Sequence, residues 1–135
     1  MVLSIPRQKI VELALKVIAA GIMIQTLFFK FTGAGESVYI FSKMGIEPFG
    51  RYATGTAEAI ASVFLFIPRL KNIGALISAG MMTGAILSHV FMLGISIMGD
   101  HGELFSFALI VFLCSDYILF KGIQRNEITL KPLYI

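Results

Sequence analysis

Apolar residues gather into four long blocks, at about 10–29, 52–67, 72–98 and 104–120, separated by short stretches rich in glycine or charge. A helix rises about 1.5 Å per residue and a bilayer's hydrocarbon core is about 30 Å thick, so blocks of this length predict transmembrane helices. The expected fold is therefore all-α, a four-helix transmembrane bundle forming a single domain over residues 1–135. The second block stops at Pro68-Arg69 and is short for a span, which predicts an upright helix or a locally thin bilayer. Between the first two blocks, Gly33, Gly35, Gly45, Pro48 and Gly50 bracket the half-apolar run from Ser37 to Met44. That run is expected to form a short interfacial helix in the first outer loop. Along the third block Gly80, Gly84 and Ser88 recur every fourth residue, a small-residue ridge of the kind that lets membrane helices pack closely. The turn Gly99-Asp100-His101-Gly102 leads into the fourth block.

Composition agrees with the pattern. At 57% hydrophobic and 14% charged residues, the chain is more apolar than a soluble domain of its length can conceal. The formal charge of +3 does not point to nucleic acid, because the basic residues stand at the ends of apolar blocks and form no stripe. They report topology instead. Arg7, Lys9, Lys16, Arg69, Lys71, Lys121, Arg125 and Lys131 fall on one side, against Lys30, Lys43 and Arg51 on the other. The positive-inside rule then places both termini in the cytoplasm, in a bacterial-type inner membrane. The first block continues past Ala19-Ala20-Gly21 without a cleavage site and is expected to be a retained helix. The single cysteine, Cys114, excludes an intrachain disulfide or a dithiol redox centre.

Several polar residues interrupt the blocks. Counted down from the outer end of each helix, Gln25, Glu58 and His89 all lie at roughly 7–11 Å, with Lys30 and Arg51 just above them. Ionisable groups in hydrocarbon are costly unless they face the bundle interior and find partners. The five residues Gln25, Lys30, Arg51, Glu58 and His89 are thus candidates for a ligand pocket in the outer leaflet, with Glu58 and His89 able to relay protons; the alternative is that they are structural glue. Thr54 and Ser62 extend a narrow polar stripe one turn either side of Glu58. Met82, Ala85 and Met92 share a face with His89, but methionine ordinarily fills gaps, so no metal site is expected. Bis-histidine haem is excluded because His101 falls in a loop. Elsewhere, Glu12 and Lys16 are spaced to pair along one helix. Asp116 is expected to pair with Lys16 or Lys121. Asp100, His101 and Glu103 fit either a surface cation site or a solvated turn ahead of a helix.

The sequence also carries a resemblance. Phe28-Phe29-Lys30-Phe31, then Glu36 and Met44-Gly45-Ile46, Gly55-x-x-Glu58, Leu65-x-x-Pro68, Gly74-Ala75 and Met82-x-Gly84-Ala85-x-x-x-His89 follow one another in an order and spacing that resembles the DoxX-like family of small four-helix membrane proteins. The resemblance covers most of the chain. It implies that Lys30, Glu58 and His89 match the family's recurring polar positions. The family takes its name from a relative of the quinone-reducing membrane subunit of an archaeal thiosulfate oxidation system, while distant animal members assist assembly of acetylcholine receptors.

Three functions are compatible with these features. In the first, the outer pocket binds a quinone or similar lipophile for a membrane redox system, and a partner protein supplies the electrons, since the chain carries no flavin, haem or iron-sulfur motif. In that case the protein is an accessory subunit of an oxidoreductase and not a complete enzyme. In the second, the Gly80, Gly84, Ser88 ridge docks other membrane proteins or a second copy and aids their assembly. The third, a proton-coupled carrier, lacks the inverted repeat and broken helix common in such proteins.

Overall fold

The computed structural model describes residues 7–124; Arg125, Lys131 and the polar tail, which enter the expected charge asymmetry, lie outside the described residues. The described chain is helical, with no strand: α1 (Arg7–Thr32), α2 (Gly35–Lys43), α3 (Phe49–Leu65), α4 (Lys71–Ser88) with a π-helical extension over His89–Leu93, and α5 (Glu103–Gln124). Helices α1, α4 with its extension, and α5 are long and apolar enough to cross a membrane. Helix α3 has 17 residues and rises about 26 Å, a little less than a hydrocarbon core. Helix α2 occupies the stretch expected to form a short helix in the first loop.

Helix α1 packs on α3 and α5, and α4 packs on the same two, so the four longer helices close a ring. Its centre is filled by small and flexible side chains, among them Ala19, Ala20, Met23, Ala61, Ala75 and Val111. The outward faces are equally apolar: Leu13, Val17, Ile24 and Phe28 on α1, Leu76 and Leu87 on α4 and Leu113 and Phe120 on α5 are all exposed. A chain with apolar residues both inside and outside has lipid as its solvent.

Helices α3 and α4 approach closely at Gly74. A Cβ there would stand 2.9 Å from the Ala61 carbonyl oxygen and 3.0 Å from the Leu65 nitrogen, so the two backbones meet where only hydrogen fits. At Gly80 and Gly84, by contrast, a Cβ would meet nothing within 4 Å. These two glycines of the expected packing ridge therefore make no close helix approach within this chain.

Three local features differ from the sequence expectation. The third block was expected to span 72–98, but the helix stops at Leu93. There the Gly94 N–H donates to the His89 carbonyl at 2.8 Å, the wide five-residue closure of a π-turn, and Gly94 then turns the chain at φ 84°. The residues beyond form a loop in which Ile97 is completely buried while Ile95 and Met98 are exposed, so Ile97 is its apolar anchor. Second, Glu12 receives a hydrogen bond at 3.1 Å from Lys71, tying α1 to the start of α4 across the fold, a contact that its spacing from Lys16 does not foretell. Third, Asp116 makes no ion pair among the described residues, and Lys121 lies over the Tyr117 ring at 5.7 Å.

The loop before α5 resolves the choice at Asp100. Its carboxylate accepts the backbone N–H groups of Ile97 at 2.9 Å, Gly102 at 2.8 Å and Leu104 at 3.1 Å. Loop and helix start are thus organised around one side chain, in the manner of an N-cap.

Candidate functional site

Lys30 lies in the last turn of α1 and Glu58 in the middle of α3, and the packing of those helices brings them together. The Lys30 ammonium donates to both oxygens of Glu58 at 2.9 Å. Glu58 is 3% exposed, which makes this a largely desolvated pair, and such a carboxylate needs its other lone pairs satisfied. Thr26, one turn before Lys30, contributes a hydroxyl 3.3 Å from Glu58 Oε2 and 2.9 Å from the Met23 carbonyl. Ser62, one turn after Glu58, donates to the Glu58 backbone carbonyl at 2.8 Å.

Arg51 stands behind this pair. Its guanidinium donates to the Lys30 backbone carbonyl, one of the carbonyls that the end of α1 leaves without a helical partner. It is held by Glu47 through Nε at 2.8 Å and Nη2 at 2.7 Å and lies over the Tyr52 ring at 4.5 Å. Arg51 is therefore committed to fixing the backbone from which the Lys30 side chain springs.

The ion pair faces a partly open cavity of about 780 Å³ lined by α1, α2, α3, α4 and α5. Of the residues expected to form a ligand pocket, Lys30, Glu58, His89 and Gln25 line it, as do Gly84 and Ser88 of the small-residue ridge. Arg51 and Gly80 do not. Gln25 contributes from an exposed position on α1, at the rim. His89 is buried on the opposite wall, where its Nδ1 stands 3.0 Å from the Gly94 carbonyl oxygen and its ring meets Phe105 edge-on. Because a carbonyl only accepts, Nδ1 carries the proton, and the π-turn and the imidazole orientation fix one another. Helix α2 contributes Glu36, Ser37, Ile40 and Phe41 to the lining.

Sequence reasoning missed part of this lining. Thr26 is four residues before Lys30, so helical spacing alone places it on the same face. Met23, Met44, Met81 and Met98 join Met82 on the wall, a concentration that becomes visible only once the helices are assembled. Glu36 and Glu103 also line the cavity, although the sequence offered Glu36 only within the resemblance and Glu103 only beside Asp100 and His101. Among the described residues no cluster of three or more His, Cys, Asp or Glu is placed to hold a metal ion.

No family model, curated protein or solved structure matches this chain. The arrangement has to be judged on its chemistry. An apolar cavity with a few convergent polar groups is the usual form of a small-molecule site, and methionine walls adapt to varied apolar shapes.

Proposed function

We propose that this chain is a DoxX-like, four-span membrane protein with both termini in the cytoplasm, whose outer cavity binds a quinone or similar lipophile for a membrane redox system. The observation that carries this reading is the convergence of the buried Lys30–Glu58 pair and His89 on one cavity of about 780 Å³. The methionine and phenylalanine walls suit an apolar body. The ion pair and the imidazole offer a polar head hydrogen-bond partners at depth, and either Glu58 or His89 can pass a proton to or from it. The chain's own residues bind and orient; electrons come from a partner.

The test is quinone binding by protein reconstituted in lipid nanodiscs, followed by native mass spectrometry, for the wild type and Glu58→Gln. Wild-type binding weakened at least tenfold in the variant is the expected result. No binding by the wild type would remove this reading.

A second reading, a helper for assembly of other membrane proteins, is favoured by one observation: Gly80, which is not part of the cavity wall, faces open space, leaving that part of the ridge available to another transmembrane helix. It expects a co-purifying membrane protein that Gly80→Leu displaces and Glu58→Gln leaves in place. Gentle purification that yields the chain alone would count against it.

A further inference from the structure

The charged groups on the cavity wall are mostly acidic, whereas its neutral polar groups such as Gln25 and Ser37 can donate as well as accept. Its charged lining residues are Lys30, Glu36, Glu58 and Glu103. Lys30, the one cation among them, is already bound to both oxygens of Glu58 at 2.9 Å. Glu36 and Glu103, in the first turns of α2 and α5, make no ion pair among the described residues. The Nδ1 proton of His89 is directed at the Gly94 carbonyl, and in the tautomer that carries this one proton Nε2 is a lone-pair acceptor. His89 is 5% exposed and lines the cavity, which makes that acceptor available to whatever occupies it. Three carboxylates against one ammonium, with an imidazole lone pair at depth, favour an occupant that brings donors or positive charge over one that brings negative charge.

We propose that the ligand is a lipophile whose polar head donates hydrogen bonds, with His89 Nε2 as the acceptor at depth and Glu36 and Glu103 as an electrostatic filter at the outer edge. This rests on the proposed binding function and narrows it: a hydroquinone is preferred over its quinone, and an alkylammonium over an alkylcarboxylate. Both preferred heads share the same chemistry, O–H or N–H donors on an apolar body. Sites built to pair a donor reject the analogue that lacks it far more strongly than sites that only match shape.

The experiment compares matched probes on the nanodisc-reconstituted full chain by equilibrium dialysis. One arm uses decylhydroquinone against its dimethyl ether, which keeps the shape and loses both donors. The other uses dodecylammonium against dodecanoate. Hydroquinone binding at least tenfold tighter than the ether, with the difference abolished in His89→Phe while ether binding persists, supports a neutral donor head. An ammonium preference of at least tenfold that Glu36→Gln with Glu103→Gln removes supports a cationic one; these two carboxylates are exposed, so that variant keeps its fold even if His89→Phe does not. If the ether equals the hydroquinone and the carboxylate equals the ammonium, the inference is overturned although the cavity still binds. If no probe binds, the binding function itself fails.

Discussion

The ammonium of Lys30 stands 2.9 Å from each carboxylate oxygen of Glu58, joining the end of α1 to the middle of α3 where neither charge has much water. Removing one partner from such a pair typically costs about 3–5 kcal/mol, whereas replacing both by apolar groups is often nearly neutral. Lys30→Met is therefore expected to lower stability by about 3 kcal/mol, and Lys30→Met with Glu58→Met to recover most of that loss. Thermal unfolding in detergent reads both. A double variant as unstable as the sum of the single ones would mean that the pair is not the unit.

Arg51 acts one step behind. It binds Glu47 and the Lys30 carbonyl and lies over Tyr52, which uses the planar fork of the guanidinium in three directions. Lysine cannot reproduce that geometry. Arg51→Lys should cost about 1.5–3 kcal/mol, the value of hydrogen bonds to a charged group, and should loosen the last turn of α1. Hydrogen exchange over Phe29–Thr32 checks the second effect; unchanged protection there would argue that Arg51 holds only Glu47.

The helices were legible in the sequence because they depend on periodicity and length. Gln25, Glu58 and His89 were expected at one depth with Lys30 and Arg51 just above, and of these five all but Arg51 line one cavity. What could not be seen is how one residue commits another. Arg51 and Lys30 look alike as cations near the outer boundary, yet one serves the backbone and the other the carboxylate, and only the approach of α1 to α3 decides which. Likewise the largely apolar stretch from Ile95 to Met98 is indistinguishable by hydropathy from a helix end. The hydrogen bond from Gly94 to His89 ends the helix before it and makes it a loop.

Glycines separate in the same way. Alanine at position 74 would place its Cβ 2.9 Å from the Ala61 carbonyl oxygen, a contact with backbone that cannot move aside. Gly74→Ala is expected to destabilise by about 1–3 kcal/mol, in the range of overpacked cores. Gly80 has open space around it, so Gly80→Ala should stabilise the helix by about 0.5–1 kcal/mol through chain entropy alone. Melting temperatures that move in the same direction for both variants would contradict this packing.

Asp100 supplies a pH dependence. Burial pushes its carboxyl up, but the backbone N–H groups of Ile97, Leu104, Gly102 and Glu103 outweigh that and hold it below its ordinary range. A carboxyl depressed in the folded state stabilises fully above its unfolded value, about pH 4, and the contribution is lost as pH falls through the folded value. Asp100→Ala should therefore be less stable than wild type near neutral pH by about 1 kcal/mol, as for lost helix caps. The gap should narrow only below about pH 4. A gap independent of pH across that window would show that the charge on Asp100 does not matter to the loop.

Helix α3 decides how many times the chain crosses the membrane. Its 17 residues rise about 26 Å, near the lower limit for a span, yet its ends carry the marks of two interfaces. Arg51 and Glu47 pair at one end; Pro68, Arg69 and Lys71 follow the other. In between, exposed residues such as Ile60 and Val63 face outward, as they would toward lipid, and the buried Glu58 turns inward to Lys30. Four crossings require Ser42 and Arg69 to lie on opposite sides of the membrane, whereas a helix that fails to cross leaves them on the same side. Single cysteines at these two positions, in a Cys114→Ser background, should be labelled by an impermeant maleimide from opposite faces of sealed vesicles, position 42 from outside and position 69 only after the vesicles are opened. Labelling of both from one face would leave three crossings and would move one terminus out of the cytoplasm.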